Sequence, residues 1–233
     1  MAVAVITGGT KGIGYALVRQ FASEGFDIAF CARTTKDVNQ LTEELKEEFG
    51  IRICSVQIDM TKKEEVTQFS KRIDETFEVV DVLINNAGVF APDTFLDSPD
   101  GFLEAMMNTN VYSAYFLTRF LAHKLMQSKK PHVFNMCSVA GLKAYPNGTS
   151  YSITKFALNG FTKAIREELK NHGVNVTAVF PGATLTPSWE GVDLPAERFM
   201  PAEDVAKLIY ETYMLSQRSC VEEIVLRPQL GDI

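Results

Sequence analysis

The chain has 233 residues, 46% of them hydrophobic, enough to bury one full core, and no linker, low-complexity run or internal repeat divides it. Its net charge is −6, and its 23 Lys and Arg residues, against 29 Asp and Glu, are scattered, which argues against a nucleic-acid surface; Lys129-Lys130, the densest basic spot, reads as a solvated helix end. No apolar run reaches the roughly 18 residues of a membrane span, and nothing ahead of the first strand reads as a leader peptide.

Cys31, Cys54, Cys137 and Cys220 show no paired spacing, and no metal-ligand spacing with His123, His132 and His172. The expectation is a reduced, cytoplasmic protein that binds no metal, no membrane and no nucleic acid. A nucleophilic Cys137 is a lesser alternative, since no histidine partner stands near it in the sequence.

Ala2 to Ile6 is an apolar run, read as a strand buried on both faces. Thr7-Gly8-Gly9-Thr10-Lys11-Gly12-Ile13-Gly14 follows it, then a helical stretch from Tyr15 to Glu24. Strand, glycine loop and helix make the context of a dinucleotide-binding loop. Glycines let the backbone approach a pyrophosphate, and the helix N-terminus offers N–H groups and a partial positive charge. Gly8, Thr10, Lys11, Gly12, Ile13 and Gly14 are the candidate contacts. The spacing is Gly-x-x-x-Gly-x-Gly, and a purely structural glycine turn is the alternative.

Phe26 to Cys31 reads as the second strand and Lys36 to Phe49 as a helix. About 20 residues past the glycine loop, an acidic side chain would hold a ribose 2′-hydroxyl, whereas a 2′-phosphate needs cations. Ala32 and Arg33 stand there, Lys11 offers a second cation, Asp27 lies at the wrong end of the strand and Asp37 past its tip. The expected cofactor is NADP(H); the alternative for Arg33 is an ordinary surface arginine.

A third strand, Ile51 to Ile58, ends at Asp59-Met60. Asp59 can accept a bond from an adenine amino group, with Met60 near the ring, or it can cap the helix that starts near Lys62. Val79 to Ile84 is a fourth strand closing on Asn85-Asn86-Ala87-Gly88, small residues that let backbone come close to a ligand. Asn110 to about Gln127 is a long helix apolar around most of its circumference, so one side packs on the sheet and the other predicts a homodimer or homotetramer.

His132 to Cys137 is the fifth strand, leading into Ser138 and a loop from Val139 to Ser150. The next helix runs to about His172 and carries Tyr151 and Lys155, four residues apart and therefore on one face. A cation beside a phenol lowers its pKa from about 10, which suits a general acid/base. A solvated Lys beside a half-buried Tyr is the alternative. Val174 to Phe180 is the sixth strand, and Pro181 to Thr186 opens an irregular segment that reaches Pro201 and holds the only tryptophan, Trp189. A substrate lid at about 184–200 is expected. A helix from about Ala202 to Leu215 and a strand Glu223 to Leu226 complete a Rossmann-type, doubly wound α/β fold with seven parallel strands and helices on both faces.

Over nearly its whole length the chain resembles the short-chain dehydrogenase/reductase family. The resemblance rests on Thr7-Gly8-x-x-x-Gly12-x-Gly14, Asn85-Asn86-Ala87-Gly88, Asn110, Ser138, Tyr151-x-x-x-Lys155 and Pro181-Gly182, in family order, with Ser138 thirteen residues before Tyr151. It implies that Tyr151 is the proton donor to a carbonyl, or the base toward an alcohol, and that Ser138 hydrogen-bonds the developing oxyanion. It implies too that Lys155 depresses the Tyr151 pKa and binds the nicotinamide ribose, and that Asn110 holds a water linking Lys155 to solvent. Asn86, Ala87, Gly88, Pro181, Gly182, Thr184 and Thr186 join the implied cofactor contacts, and Lys11 and Arg33 match positions associated with NADP preference.

Within that resemblance the segment from Gly182 to Pro201 is short, suggesting an open pocket. The ending Val221 to Pro228 looks like those of NADP-dependent alcohol dehydrogenases and carbonyl reductases, not like the glycine-rich ending of 3-oxoacyl-carrier-protein reductases. The implied function is reversible reduction of a small-molecule ketone or aldehyde to its alcohol. Reduction of a 3-oxoacyl thioester on an acyl-carrier protein is the runner-up substrate, and a non-catalytic NADP(H)-sensing protein is the alternative from another class. A sugar-nucleotide epimerase would need a larger C-terminal substrate domain. Phe90, Phe95, Leu142, Tyr145 and Trp189 are apolar candidates for the pocket wall, or else members of the core.

Overall fold

A computed structural model describes residues 1–233. Seven strands, β1 (Val3–Thr7), β2 (Asp27–Ala32), β3 (Ile53–Gln57), β4 (Val82–Asn85), β5 (His132–Met136), β6 (Asn175–Pro181) and β7 (Glu223–Leu226), form one sheet in the order β3-β2-β1-β4-β5-β6-β7. Every pair is parallel; Val5, for example, lies opposite Ala29 on one side and Leu83 on the other. The order reverses direction between β1 and β4, the crevice where ligands bind in open sheets of this kind.

Alternation along the strands sorts the core into two layers. Ala4, Ile6, Ile28, Phe30, Ile84 and Phe134 face α1 (Gly12–Ser23), α2 (Thr35–Phe49) and α7 (Ala202–Met214). Val3, Val5, Ala29, Leu83, Val133 and Val176 face α3 (Lys63–Thr76), α5 (Ser113–Leu125) and the distal end of α6 (Thr149–Leu169). Phe21 is fully buried and meets Phe26 and Tyr210 edge to face at 5.1 and 5.6 Å. Each fully buried side chain of this size contributes roughly 1.5–3 kcal/mol of transfer free energy.

Two boundaries differ from the sequence reading in an informative way. The fourth strand starts at Val82, not Val79: Asp81 N–H still donates to Val3 O (3.0 Å), but the preceding Val80 N–H turns away to Lys124 O (3.5 Å), while the Asp81 carboxylate accepts from the Val3 N–H (2.8 Å) and the Ser128 hydroxyl (2.5 Å). The helix expected from Asn110 starts eight residues earlier, as α4 (Phe102–Met107), and reaches α5 through a π-helical turn over Asn108–Tyr112, with Ser113 N donating to Asn108 O. Asn108-Thr109-Asn110 looks like a helix break in sequence. In the fold Asn110 is held by bonds to Val89 and Thr154, 21 and 44 residues away, and the extra residue of a π turn re-aims a side chain, as π turns at functional sites often do.

Candidate active site

The predicted site residues stand at the C-terminal ends of the strands, on both sides of the β1/β4 reversal. Gly8, Thr10, Lys11, Gly12, Ile13 and Gly14 form the turn from β1 into α1. A Cβ on Gly14 would collide with the Gly8 carbonyl oxygen, and one on Gly12 (φ 52°) would come within 2.8 Å of Thr186 Cγ2. Only a backbone without side chains passes here, and α1 has neither a side-chain cap nor an acidic residue in its first turn. The outcome is a cradle of unscreened N–H groups suited to phosphate. Ile13 is half-buried and leans on the core.

Arg33 is exposed at the tip of β2, its carbonyl taken by Gln57 Nε2 at 3.1 Å. Lys11 pairs with Asp37 in the first turn of α2 at 3.4 Å, so a carboxylate does stand beside the expected cation site. Asp59 is not the cap of α3: Lys62 occupies that position, and Asp59 Oδ1 accepts from Thr61 N at 3.0 Å. That backbone bond holds its carboxyl below the usual range. Met60 is buried in the core with its sulfur 3.7 Å from Cys31 Sγ.

The tip of β4 is tied to the glycine loop. Thr7 Oγ1 accepts from the N–H groups of Asn86 (2.9 Å) and Ala87 (2.8 Å), and Asn86 Nδ2 donates to Thr7 O at 2.8 Å. Gly88 faces the next group, since a Cβ there would sit 3.4 Å from Asn110 Oδ1 and 3.5 Å from Lys155 Nζ. The Asn110 side chain is fully committed: Oδ1 accepts from Val89 N (2.8 Å), and Nδ2 donates to Val89 O (3.0 Å) and Thr154 Oγ1 (2.9 Å). It buttresses the loop after β4 against α6.

Ser138 follows β5, its Oγ accepting from Ala140 N at 3.2 Å. Tyr151 and Lys155 lie on the first turns of α6, with the Lys155 ammonium 5.5 Å from the Tyr151 ring centre. Lys155 is 4% exposed and donates to Met136 O at 2.7 Å. Burial lowers its pKa from 10.5 to about 8. The expected lowering of Tyr151 is reversed in this arrangement. Burial raises the phenol above its ordinary value, only partly opposed by the Ser138 hydroxyl, while the ammonium is turned toward Met136. Tyr151 is therefore protonated at neutral pH. Burial also pushes the Cys137 thiol up to about 12, which removes it as a nucleophile at neutral pH.

Pro181 ends β6 and Gly182 N donates to Leu226 O at 2.7 Å. Thr184 pairs with Met200, closing the base of the 184–200 segment, while Thr186 rests on Gly12. Trp189 stacks obliquely on Phe199 at 5.1 Å and serves the segment's own packing. Of the other wall candidates, Phe90 meets Tyr151 edge to face at 5.1 Å, and Phe95, Leu142 and Tyr145 are all exposed. Thr154 and Asp93 do not stand out in the sequence, and Thr7 does so only as the first residue of the glycine motif, without its role at β4. Thr154 has a signal, adjacency to Lys155, but Thr7 and Asp93 act on segments about 80 and 57 residues away.

Comparison with known proteins shows the family and the fold. A family model described as short chain dehydrogenase matches residues 2–195. The chain is 32% identical to a sepiapterin reductase of Chlorobaculum tepidum, over 99% of this chain and 98% of that one. It is 30% identical to a farnesol dehydrogenase of Aedes aegypti, over 97% and 95%. Among solved structures it superposes with TM-score 0.93 on an alcohol dehydrogenase of the archaeon Thermococcus sibiricus complexed with 5-hydroxy-NADP, at 26% identity over 100% and 99% of the chains. The L-sorbose reductase of Gluconobacter frateurii complexed with NADPH and L-sorbose gives 0.91, at 26% identity over 97% and 95%.

Proposed function

We infer the reaction from one premise: the chain belongs to the short-chain dehydrogenase family and is an oxidoreductase. The reading is an NADP(H)-dependent enzyme that interconverts a ketone or aldehyde with its alcohol. The observation that carries it is the convergence of the half-buried Tyr151 phenol, the Ser138 hydroxyl and the buried Lys155 ammonium beside Gly88, at the open end of the sheet. The cradle at Gly12 and Gly14 fits a dinucleotide pyrophosphate, and NADP-bound relatives of closely similar fold support the 2′-phosphate. Arg33 and Lys11 would face that phosphate, with Asp37 competing for Lys11. Asp59 and Met60 would border the adenine, Asn86 to Gly88 the adenine ribose and pyrophosphate side, and Pro181, Gly182, Thr184 and Thr186 the nicotinamide.

NADPH, when bound, supplies the hydride to the carbonyl carbon, and NADP takes it back in the reverse direction. The chain's own residues manage the proton. Tyr151 Oη gives its proton to the carbonyl oxygen as the C=O double bond becomes single, and Ser138 Oγ donates a hydrogen bond to the same oxygen. The Lys155 ammonium offsets the phenolate left behind, and Asn110 keeps the loop carrying Gly88 and Val89 against α6.

The chain reads as one domain with a lid at 184–200, working in the cytoplasm, where its four free cysteines stay reduced. No helix is long and apolar enough to cross a membrane. A second copy would cover the exposed side of the π turn, α5 and α6, where Tyr112, Tyr115, Phe120, Ile153 and Phe156 are 37–47% exposed and Gly160 has open space around it. Sedimentation of the protein at micromolar concentration tests this, and a monomer overturns it.

The experiment for the function follows NADPH oxidation with sepiapterin, farnesal, L-sorbose and an acetoacetyl thioester, with NADH and Tyr151→Phe as controls. Turnover with NADPH, weak with NADH and reduced at least about 1,000-fold in the variant, is expected. A thioester as the best substrate would favour the acyl-carrier reading. NADPH binding with no turnover on any carbonyl would favour a sensor.

A further inference from the structure

We propose that Asp93 is a positioning residue for Tyr151: from the loop after β4 it grips the first turn of α6 and so sets where the phenol reaches. The proposal rests on the carbonyl-reductase reading of the site.

α6 begins without local help. Gly148 precedes it with no side chain to cap it, and its first turn holds no acidic residue. Both functions come from Asp93, 57 residues upstream. Ser150 N donates to Asp93 Oδ1 at 3.1 Å and Oδ2 at 3.3 Å, and Ser150 Oγ donates to Oδ2 at 2.5 Å. A carboxylate on the free N–H groups of a helix start satisfies them and opposes the helix dipole. Ser150 is 3% exposed and immediately precedes Tyr151, so the clamp acts one residue from the proton donor.

The backbone tightens the same junction. Asp93 N donates to Asn147 O at 3.3 Å, and Asp93 and Gly148 form a one-residue parallel bridge. Asn147 is the sole non-glycine residue with positive φ, at 59°, so the turn into α6 is held in a conformation that local sequence disfavours. The loop also carries Phe90, three residues before Asp93, with its ring edge to face on Tyr151. One short stretch thus touches the phenol from the side and fixes the backbone beneath it. A reacting group displaced by about 1 Å can lose about 100-fold in rate, which is the scale expected if this grip is released.

The test compares Asp93→Ala, Asp93→Asn and Ser150→Ala with the parent, using whichever carbonyl of the panel the parent reduces fastest. In Asp93→Ala kcat falls about 100-fold while the Kd for NADPH, read by its fluorescence without substrate, stays within about two-fold. Asp93→Asn, whose amide oxygen still accepts one bond, recovers part of the loss, and Ser150→Ala loses less than Asp93→Ala. A crystal structure of Asp93→Ala with NADPH shows the Tyr151 hydroxyl displaced by about 1 Å. Unchanged kcat, or a loss matched by equal losses of NADPH affinity and folded fraction, overturns the proposal. If the parent reduces no carbonyl, the enzyme reading has failed separately, and the position of the Tyr151 hydroxyl alone decides whether Asp93 holds it.

Discussion

The two ends of the sheet handle buried ionisable groups in opposite ways. At the N-terminal end each buried charge is closed on a partner: Asp27, fully buried, takes Arg52 Nη2 at 2.7 Å and Arg52 N at 2.9 Å. Asp81 holds Val3 and Ser128, and Lys124 donates to Phe77 O at 2.6 Å. His132, driven by burial to a pKa of about 3, is neutral and hydrogen-bonded to Thr177 Oγ1 at 2.7 Å. At the C-terminal end Lys155 is buried with a single carbonyl partner, and Tyr151 sits beside it under an opposing burial cost. Polar groups closed on one another stabilise the fold, whereas groups held short of partners stay available for chemistry.

The largest effect that tests this contrast is at Lys155. Lys155→Met should lower the carbonyl reduction rate at pH 7 by at least about 100-fold, yet leave the melting temperature unchanged or higher, because a costly buried charge is removed. The pH dependence has a defined sign. With the folded pKa near 8 and the unfolded value near 10.5, the unfolded chain holds more protons between them, so stability rises with pH across that window. Reduction should run the other way, falling as pH passes about 8 and the ammonium discharges. Thermal melts and rate profiles from pH 6.5 to 10 would expose a shared trend, which would break the contrast.

Asp27→Ala probes the opposite end. Arg52, 61% exposed, rehydrates when its partner is lost, so the unpaired Arg52 N–H and the cavity should cost about 1–3 kcal/mol in denaturant melts, with kcat per folded molecule unchanged. A matching loss of kcat would mean that the two ends are not separable.

The smallest effect lies at the rim. Lys11 and Asp37 are 65% and 27% exposed, so their ion pair contributes at most about 1 kcal/mol. Asp37→Asn should tighten NADPH by about three-fold and leave NADH unchanged, with the gain vanishing at about 1 M salt. Equal gains for both cofactors would show that Asp37 does not face the 2′-phosphate.

The sequence by itself determined the alternation of strands and helices, the glycine loop and the spacing of Tyr151 and Lys155, since each depends on periodicity or on conformations that only certain residues adopt nearby in the chain. Val3–Thr7 and, after its first residue, Glu223–Leu226 are apolar or β-branched runs of the kind that favours strands. Tertiary structure decided the rest. The π turn at Asn110 forms because a distant peptide, Val89, occupies its amide, and the cap of α6 comes from Asp93 in another loop. The direction of the Tyr151 shift also escaped the sequence. Spacing shows that a cation is near, but burial and the orientation of that cation toward Met136 decide which influence wins, and both exist only once the chain is packed.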